Sequence, residues 1–237
     1  MINKQIIQSI ISKYYLNGLI ETVKWEIKDN KLKINFISPV KDMIGKIEYN
    51  NFKLSDNSIA IYNTSQLNKL LSTTVGELIL EIKGHKLNIS DSQYSITYAL
   101  ADTLLVPKVA NIDEPGKYDI ELDLTDEHIH ALIKAKGAVS DTDHVIIQNG
   151  MSVDNEPTLE FIIGDDIEHS NKITYSIITN QSIKINLPFN IDYIKDILNA
   201  NKDLKGKMFI NKEGLMKIEF TSEDMSSVYF IVRKSEV

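Results

Sequence analysis

Residues 64–90, TSQLNKLLSTTVGELILEIKGHKLNIS, carry the pattern on which the reading of this chain turns. Over 65–73 the apolar residues Leu67, Leu70 and Leu71 recur at three- and four-residue spacing, the period of a helix with one buried face. From Glu77 the period falls to two, runs to Lys83, crosses a Gly84-His85 pair and resumes from Lys86 to Ser90. That is a hairpin: two alternating strands joined by a pair that tolerates positive φ. A short helix followed by antiparallel strands cannot bury its apolar faces alone, so partners of the same kind are expected elsewhere in the chain.

The same unit recurs three more times. Helical periodicity covers 4–14 (Ile6, Ile7, Ile10, Ile11, Tyr14), 126–139 (Ile129, Leu132, Ile133) and 191–200 (Ile191, Ile194, Leu198). The four starts lie 61, 61 and 65 residues apart. Thr125 and Asn190 stand where N-caps belong, and Thr64 or Ser65 serves the second helix. The hairpins that follow are VKWEIKDNKLKINF, LILEIKGHKLNIS, HVIIQNGMSVDNEPTLEF and MFINKEGLMKIEF, with turns expected at Asp29-Asn30, Gly84-His85, Asn149-Gly150 and Glu213-Gly214. Alternating stretches predict strands at 22–28, 31–37, 43–49, 77–83, 86–90, 94–100, 144–148, 158–163, 172–178, 182–187, 207–211, 215–221 and 227–233.

The units pair into halves. SIAIYNTSQLNKLL (58–71) leads into the second helix as SIKINLPFNIDYIKDIL (182–198) leads into the fourth. LILEIKGHKLNISDSQYSITYAL (78–100) likewise matches MFINKEGLMKIEFTSEDMSSVYFIV (208–232). Between the halves, ADTLLVPKVANIDEPGK (101–117) holds two prolines and a Pro-Gly pair, the signature of a linker. The expected organisation is therefore an α+β chain of two similar domains, 1–103 and 118–237, joined by 104–117.

Composition narrows the function. A chain of 237 residues that is 43% apolar can bury a core. It lacks any window of about 18 apolar residues, so no membrane span is expected. The start, MINKQIIQSIISKYY, does not read as a signal peptide. With no cysteine there is no disulfide, thiolate metal site or cysteine nucleophile, and a reducing, cytoplasmic compartment fits. The net charge is −7, yet the helical segments with their flanks, 3–16, 64–74, 126–138 and 190–207, carry +4, leaving −11 for the remainder. Of 26 basic residues, Arg233 is the single arginine. Lysine suits point contact with phosphate, whereas arginine is the usual reader of guanine edges. Sequence-independent contact with duplex DNA is compatible with that balance; base-specific reading is not.

Catalytic motifs are absent. Gly164-Asp165-Asp166 resembles the metal-binding aspartate pair of some polymerases, but it follows the strand LEFII and reads as a turn. His128 and His130 are two apart on a helix and diverge, and no His-Glu-x-x-His motif occurs. Asp141, Asp143 and His144 lie in a polar loop after the third helix. No phosphate-cradling glycine loop or nucleophile elbow occurs. No enzyme, no cofactor and no metal site is expected.

The arrangement as a whole resembles the DNA sliding clamps. AIYNTSQLNKLLS (60–72) and HSNKITYSIITNQSIKINLPFNIDYIKDIL (169–198) are most similar to the T-even-type bacteriophage clamps, and the two-domain plan is similar to proliferating cell nuclear antigen. The resemblance spans nearly the whole chain. It implies a DNA-clamp fold with two helices per domain packed on curved antiparallel sheets. It also implies a homotrimeric ring whose helices surround duplex DNA and which tethers a DNA polymerase after a clamp loader opens it. If viral, the protein works in the host cytoplasm. On that reading Lys4, Lys13, Lys69, Lys134, Lys195 and Lys202 face DNA, the fourth helix being the least basic on its outer side. Leu104, Leu105, Val106, Pro107 and Val109 of the linker, with Tyr229, Phe230 and Val232 of the last strand, form the handle for partner peptides. Subunits are expected to meet at edges near 86–96 and 171–178. A polymerase accessory subunit of the same fold that closes no ring, and a virion structural protein, fit the same architecture.

Overall fold

A computed structural model describes residues 1–110, 114–164, 170–183 and 186–234. The chain divides into two compact units, Met1–Asn111 with Thr221–Val228, and Ile112–Phe220 with Tyr229–Val237.

The first unit runs β1 (Ile2–Asn3), α1 (Lys4–Tyr15), β2 (Val23–Lys28), β3 (Lys31–Ile37), β4 (Met43–Asn50), β5 (Asn57–Ile61), α2 (Thr64–Thr73), β6 (Glu77–Lys83), β7 (Lys86–Ser90) and β8 (Ser95–Ala99). Its antiparallel strands fall into the orders β1-β6-β7-β8 and β5-β2-β3-β4. The two strand-helix-three-strand repeats therefore exchange their first strands. β1 of the first pairs with β6 of the second, and β5 of the second pairs with β2 of the first.

The second unit repeats the order element by element: β9 (Ile120–Leu124), α3 (Asp126–Ala138), β10 (His144–Met151), β11 (Pro157–Ile163), β12 (Ile173–Ile178), β13 (Leu187–Asn190), α4 (Ile191–Asn201), β14 (Lys205–Ile210), β15 (Leu215–Thr221) and β16 (Met225–Val232). Its orders, β9-β14-β15-β16 and β13-β10-β11-β12, are those of the first unit with the same exchange. The fourfold repeat is thus a βαβββ element used four times.

Packing follows the sequence pattern. Ile7, Ile10, Ile11 and Tyr14 of α1 and Leu67 and Leu71 of α2 are buried with Trp25, Phe36 and Phe52 from the sheet side. Trp25 meets Phe52 edge-on at 6.0 Å, an arrangement that aromatic quadrupoles favour. In the second unit Ile129 and Leu132 of α3 join Ile191, Ile194, Ile197 and Leu198 of α4 over Phe161, Phe189 and Phe220. One glycine in each unit makes room for an aromatic ring on the adjacent strand. A Cβ on Gly45 would meet the Phe36 ring at 2.1 Å, and one on Gly206 would meet Phe220 at 2.5 Å. Each of the four α-helices has a capping side chain: Asn3 accepts from the Gln5 N–H, Asn63 from Gln66, Thr125 from His128, and Asn190 from Asp192 and Tyr193.

Several expectations are corrected. The second helix is capped by Asn63, and Thr64 is its first residue. Asn149-Gly150 is not a turn; both residues lie in β10 opposite Leu159 and Thr158. The chain reverses over Ser152–Glu156 instead, where the Ser152 N–H bonds to the Glu156 carbonyl and Asn155 takes φ 60°. The other three turns sit where expected, with Asp29, Asn30, Gly84 and Gly214 at positive φ. The strand expected at 182–187 includes residues outside the described set; the strand entering α4 is Leu187–Asn190. Asp165 and Asp166 also lie outside the described residues, as does part of the 104–117 linker. A single cut at that linker does not separate the units, because Thr221–Val228 groups with the first. There the Asn50 N–H donates to the Asp224 carbonyl, covering the free side of β4.

The edge expected at 86–96 is also revised. β7 is interior, paired on both sides, and β8 is the edge; in the second unit β12 is the edge, as expected. The Asp91 N–H to Tyr94 carbonyl and Leu100 N–H to His85 carbonyl bonds set the phase of the β7–β8 ladder. By antiparallel alternation Ser95, Thr97 and Ala99 turn their N–H groups away from β7. The Thr179 N–H to Pro157 carbonyl bond does the same for Thr174, Ser176 and Ile178 on β12.

Candidate nucleic-acid and partner surfaces

The six lysines expected to face DNA have different fates. Lys69 is exposed on α2, beside an open polar cavity of about 350 Å³ lined by Glu21, Tyr62, Asn63, Ser65 and Gln66. Lys134 is exposed on α3, and Lys202 is exposed as the C-cap of α4. None of these three has a carboxylate at ion-pair distance among the described residues. Lys4 is half-buried, and its ammonium donates to the carbonyls of Ser72 and Thr74, the last carbonyls of α2. Lys195 is held by carboxylates, 3.3 Å from Asp192 and 3.6 Å from Asp196.

Lys13 is a correction. It is 0% exposed, and its ammonium donates to the Ser9 hydroxyl one turn back. Position 13 lies at the flank of the apolar face, where neighbouring packing closes over the aliphatic stem, so it offers no charge to a ligand. A buried lysine that the sequence did not single out, Lys136, donates to the carbonyls of Ser140 and Thr142 and lies 3.5 Å from Asp192. It ties the loop after α3 to the start of α4; no spacing rule in the sequence marks it.

The linker residues split similarly. Asp102 caps a single helical turn, Thr103–Leu105, by accepting from the Leu104 N–H. Leu104 is 88% exposed and Leu105 72%. Unpartnered aliphatic side chains on a loop are a feature of interaction sites. Leu104, Val106, Pro107 and Val109 share a cavity of about 470 Å³ with Lys24, Glu26, Asn35 and Ser58 on the outer side of β2, β3 and β5. In the second unit Phe230 is half-buried and Val232 exposed, but Tyr229 is buried. Its hydroxyl accepts from the Asn201 side-chain amide, which also donates to the Ile197 carbonyl. Tyr229 is therefore a core residue, not part of a docking surface.

The two histidines of α3 and Asp143 each have a partner in the fold. His128 Nδ1 meets the Asp123 carbonyl and His130 Nδ1 the Asp126 carbonyl. Asp143 pairs with Lys234 at 2.6 Å; that hydrogen bond holds its carboxyl below the usual range, while partial burial opposes it. Among the described residues no group of three His, Asp or Glu side chains converges on a metal-sized site, and no helix is long and apolar enough to cross a membrane.

No protein-family model and no curated relative matches the sequence. Solved structures do. The proliferating cell nuclear antigen of A. fulgidus, with the C-terminal region of FEN-1 bound to it, superposes with a TM-score of 0.76 over 100% of this chain and 98% of that one, at 12% identity. The chain has the DNA sliding-clamp fold. The Entamoeba histolytica clamp superposes with a TM-score of 0.74 at 14% identity, covering 98% of this chain and 96% of its own. The Thermococcus kodakaraensis clamp gives 0.74 at 12% identity, with 98% and 97% covered. Coverage near completeness on both sides means that the clamp fold accounts for both units. Identity this low leaves the fold carried by periodicity and turns, since few residues are shared.

Proposed function

We propose that the protein is a DNA sliding clamp: three copies close head-to-tail around duplex DNA and tether a replicative polymerase. The observation that carries the reading is the duplication with two open edges. β4 and β12 are counterparts, as are β8 and β16. In the first unit the free side of β4 is covered by residues 221–228, at the start of β16. The matching partners, β12 and β8, are left as edges within one chain. Pairing β12 of one copy with β8 of the next repeats the same kind of contact, and a heterologous contact whose rotation closes yields a ring. It also removes two edges that would otherwise invite aggregation.

On this reading Lys69, Lys134 and Lys202 supply weak, screened contact with phosphates, which permits sliding. The ring is held on DNA by topology, and a tethered polymerase rebinds at high effective concentration. The protein is a non-catalytic scaffold in this role. The A. fulgidus clamp binds the C-terminal region of FEN-1, and on this reading the exposed Leu104 and Leu105, with Val106, Pro107 and Val109, offer the handle of this chain for such a peptide. The likeness of 60–72 and 169–198 to T-even-type clamps favours a phage polymerase and its clamp loader as partners, in the host cytoplasm. The test is a primed circular template with the cognate polymerase and loader. Longer products in the presence of the protein are expected, and an unchanged product length contradicts the role.

A further inference from the structure

We propose that Asp192 and Asp196 hold Lys195 in a clasp that keeps the body of α4 from gripping DNA, leaving Lys202 at its C-cap as the one contact this helix offers. The inference rests on the clamp reading above and concerns how its DNA surface is tuned. Ile191, Ile194, Ile197 and Leu198 are fully buried, so Asp192, Lys195, Asp196 and Asn199 form the opposite face of α4. Lys195 is the only basic residue on that face within α4 itself, Lys202 continuing it as the exposed C-cap, and its side chain is 27% exposed, bent between the two aspartates. Asp192 is pinned in turn by the buried Lys136 of α3, 3.5 Å from the same carboxylate oxygen that meets Lys195. Two lysines and two aspartates thus form a neutral quartet spanning α3 and α4. The carboxylates cannot turn away freely, because one is anchored by Lys136 and the other is only 18% exposed.

A phosphate approaching α4 must compete with both carboxylates for the Lys195 ammonium, and it meets their negative charge. Lys69 and Lys134 carry no such restraint among the described residues. Each lysine free to meet phosphate raises the salt-dependent attraction and slows translocation, whereas withdrawing Lys195 into the clasp lowers it without reducing the ring's hold.

The test compares the protein with Asp192→Asn/Asp196→Asn, the same pair plus Lys195→Met, and Asp196→Asn alone, which preserves the Lys136–Asp192 contact should the double change unfold the unit. Binding of a short fluorescent duplex is measured over a range of salt concentrations. Freeing Lys195 is expected to steepen the slope of log affinity against log salt by about 0.9 per added phosphate contact, or about eightfold more affinity per tenfold drop in salt. Adding Lys195→Met should restore the original slope, and Asp196→Asn alone should steepen it partly. An unchanged slope in both aspartate variants overturns the proposal, and so does a steepening that survives Lys195→Met, which would reflect net charge alone. Absence of salt-dependent duplex binding by the unsubstituted protein is a different result and contradicts the clamp reading itself.

Discussion

Lys4, the first residue of α1, closes the far end of α2 by donating from its ammonium to the Thr74 carbonyl. A cation at a helix C-terminus satisfies carbonyls that the helix cannot bond itself and opposes the negative end of its dipole. Asp91 grips the next residue, accepting from the Val75 N–H as well as from Gln93 and Tyr94; these backbone bonds hold its carboxyl below the usual range. Lys4→Met should therefore lower stability, by about 1 kcal/mol after allowance for solvent exposure. Duplex affinity should change less than in Lys69→Met. Urea unfolding and duplex titration of the two variants separate these roles; a larger affinity loss from Lys4→Met would return Lys4 to the DNA surface.

Lys69→Glu with Lys134→Glu should reduce DNA loading or sliding without altering assembly, because both side chains are exposed on helices whose buried faces they do not touch. Each reversal replaces attraction for phosphate with repulsion. Stimulation of the polymerase at the unsubstituted level would show that these helices do not face DNA.

Removing the Tyr229 hydroxyl leaves the buried Asn201 amide with one partner fewer. Tyr229→Phe should cost about 1 kcal/mol, the net worth of one hydrogen bond, because the Asn201 amide keeps the Ile197 carbonyl. Peptide docking should persist, whereas Leu104→Asp should abolish docking and leave the melting temperature nearly unchanged, since Leu104 is almost fully solvent-exposed. Calorimetric titration with a polymerase C-terminal peptide distinguishes them; loss of docking in Tyr229→Phe at full stability would reverse the assignment.

The Asp143–Lys234 pair attaches the end of the chain to the second unit, where the Lys234 N–H also bonds to the Pro188 carbonyl. Because the folded carboxyl titrates below its unfolded counterpart at about 3.9, its contribution is present above that value and is lost as pH falls through the folded one. Asp143→Asn should therefore melt below the unsubstituted protein near neutrality, and the gap should close in acid. A gap independent of pH would assign the effect to packing.

The helices were legible because leucine and isoleucine spacing, caps and turn pairs agree over 64–90 and its three counterparts. What escaped has physical causes. β9, with sequence IELDL, hides its alternation behind acidic residues that are depleted in strands. β1 has two residues and no period to read, yet it starts the exchange that locks the first unit. Asn149-Gly150 has ideal turn chemistry, but the ladder continues through it because Ser152–Glu156 closes the hairpin further out. The lysines were harder still: helical angle separates Lys69 from Leu67, Leu70 and Leu71, but cannot foresee that Lys13 is buried or that Lys195 is clasped. Those outcomes depend on neighbours distant in sequence or on exact packing depth.

Ring closure through β8 and β12 is the centre of the account, and mass in solution tests it most directly. Sedimentation equilibrium at micromolar concentration should give three times 26.9 kDa. Thr97→Pro and Ser176→Pro each delete an outward N–H from an edge, so either should shift the mass toward one chain while each unit stays folded. A single-chain mass for the unsubstituted protein, or a trimer indifferent to both prolines, would contradict the closed ring.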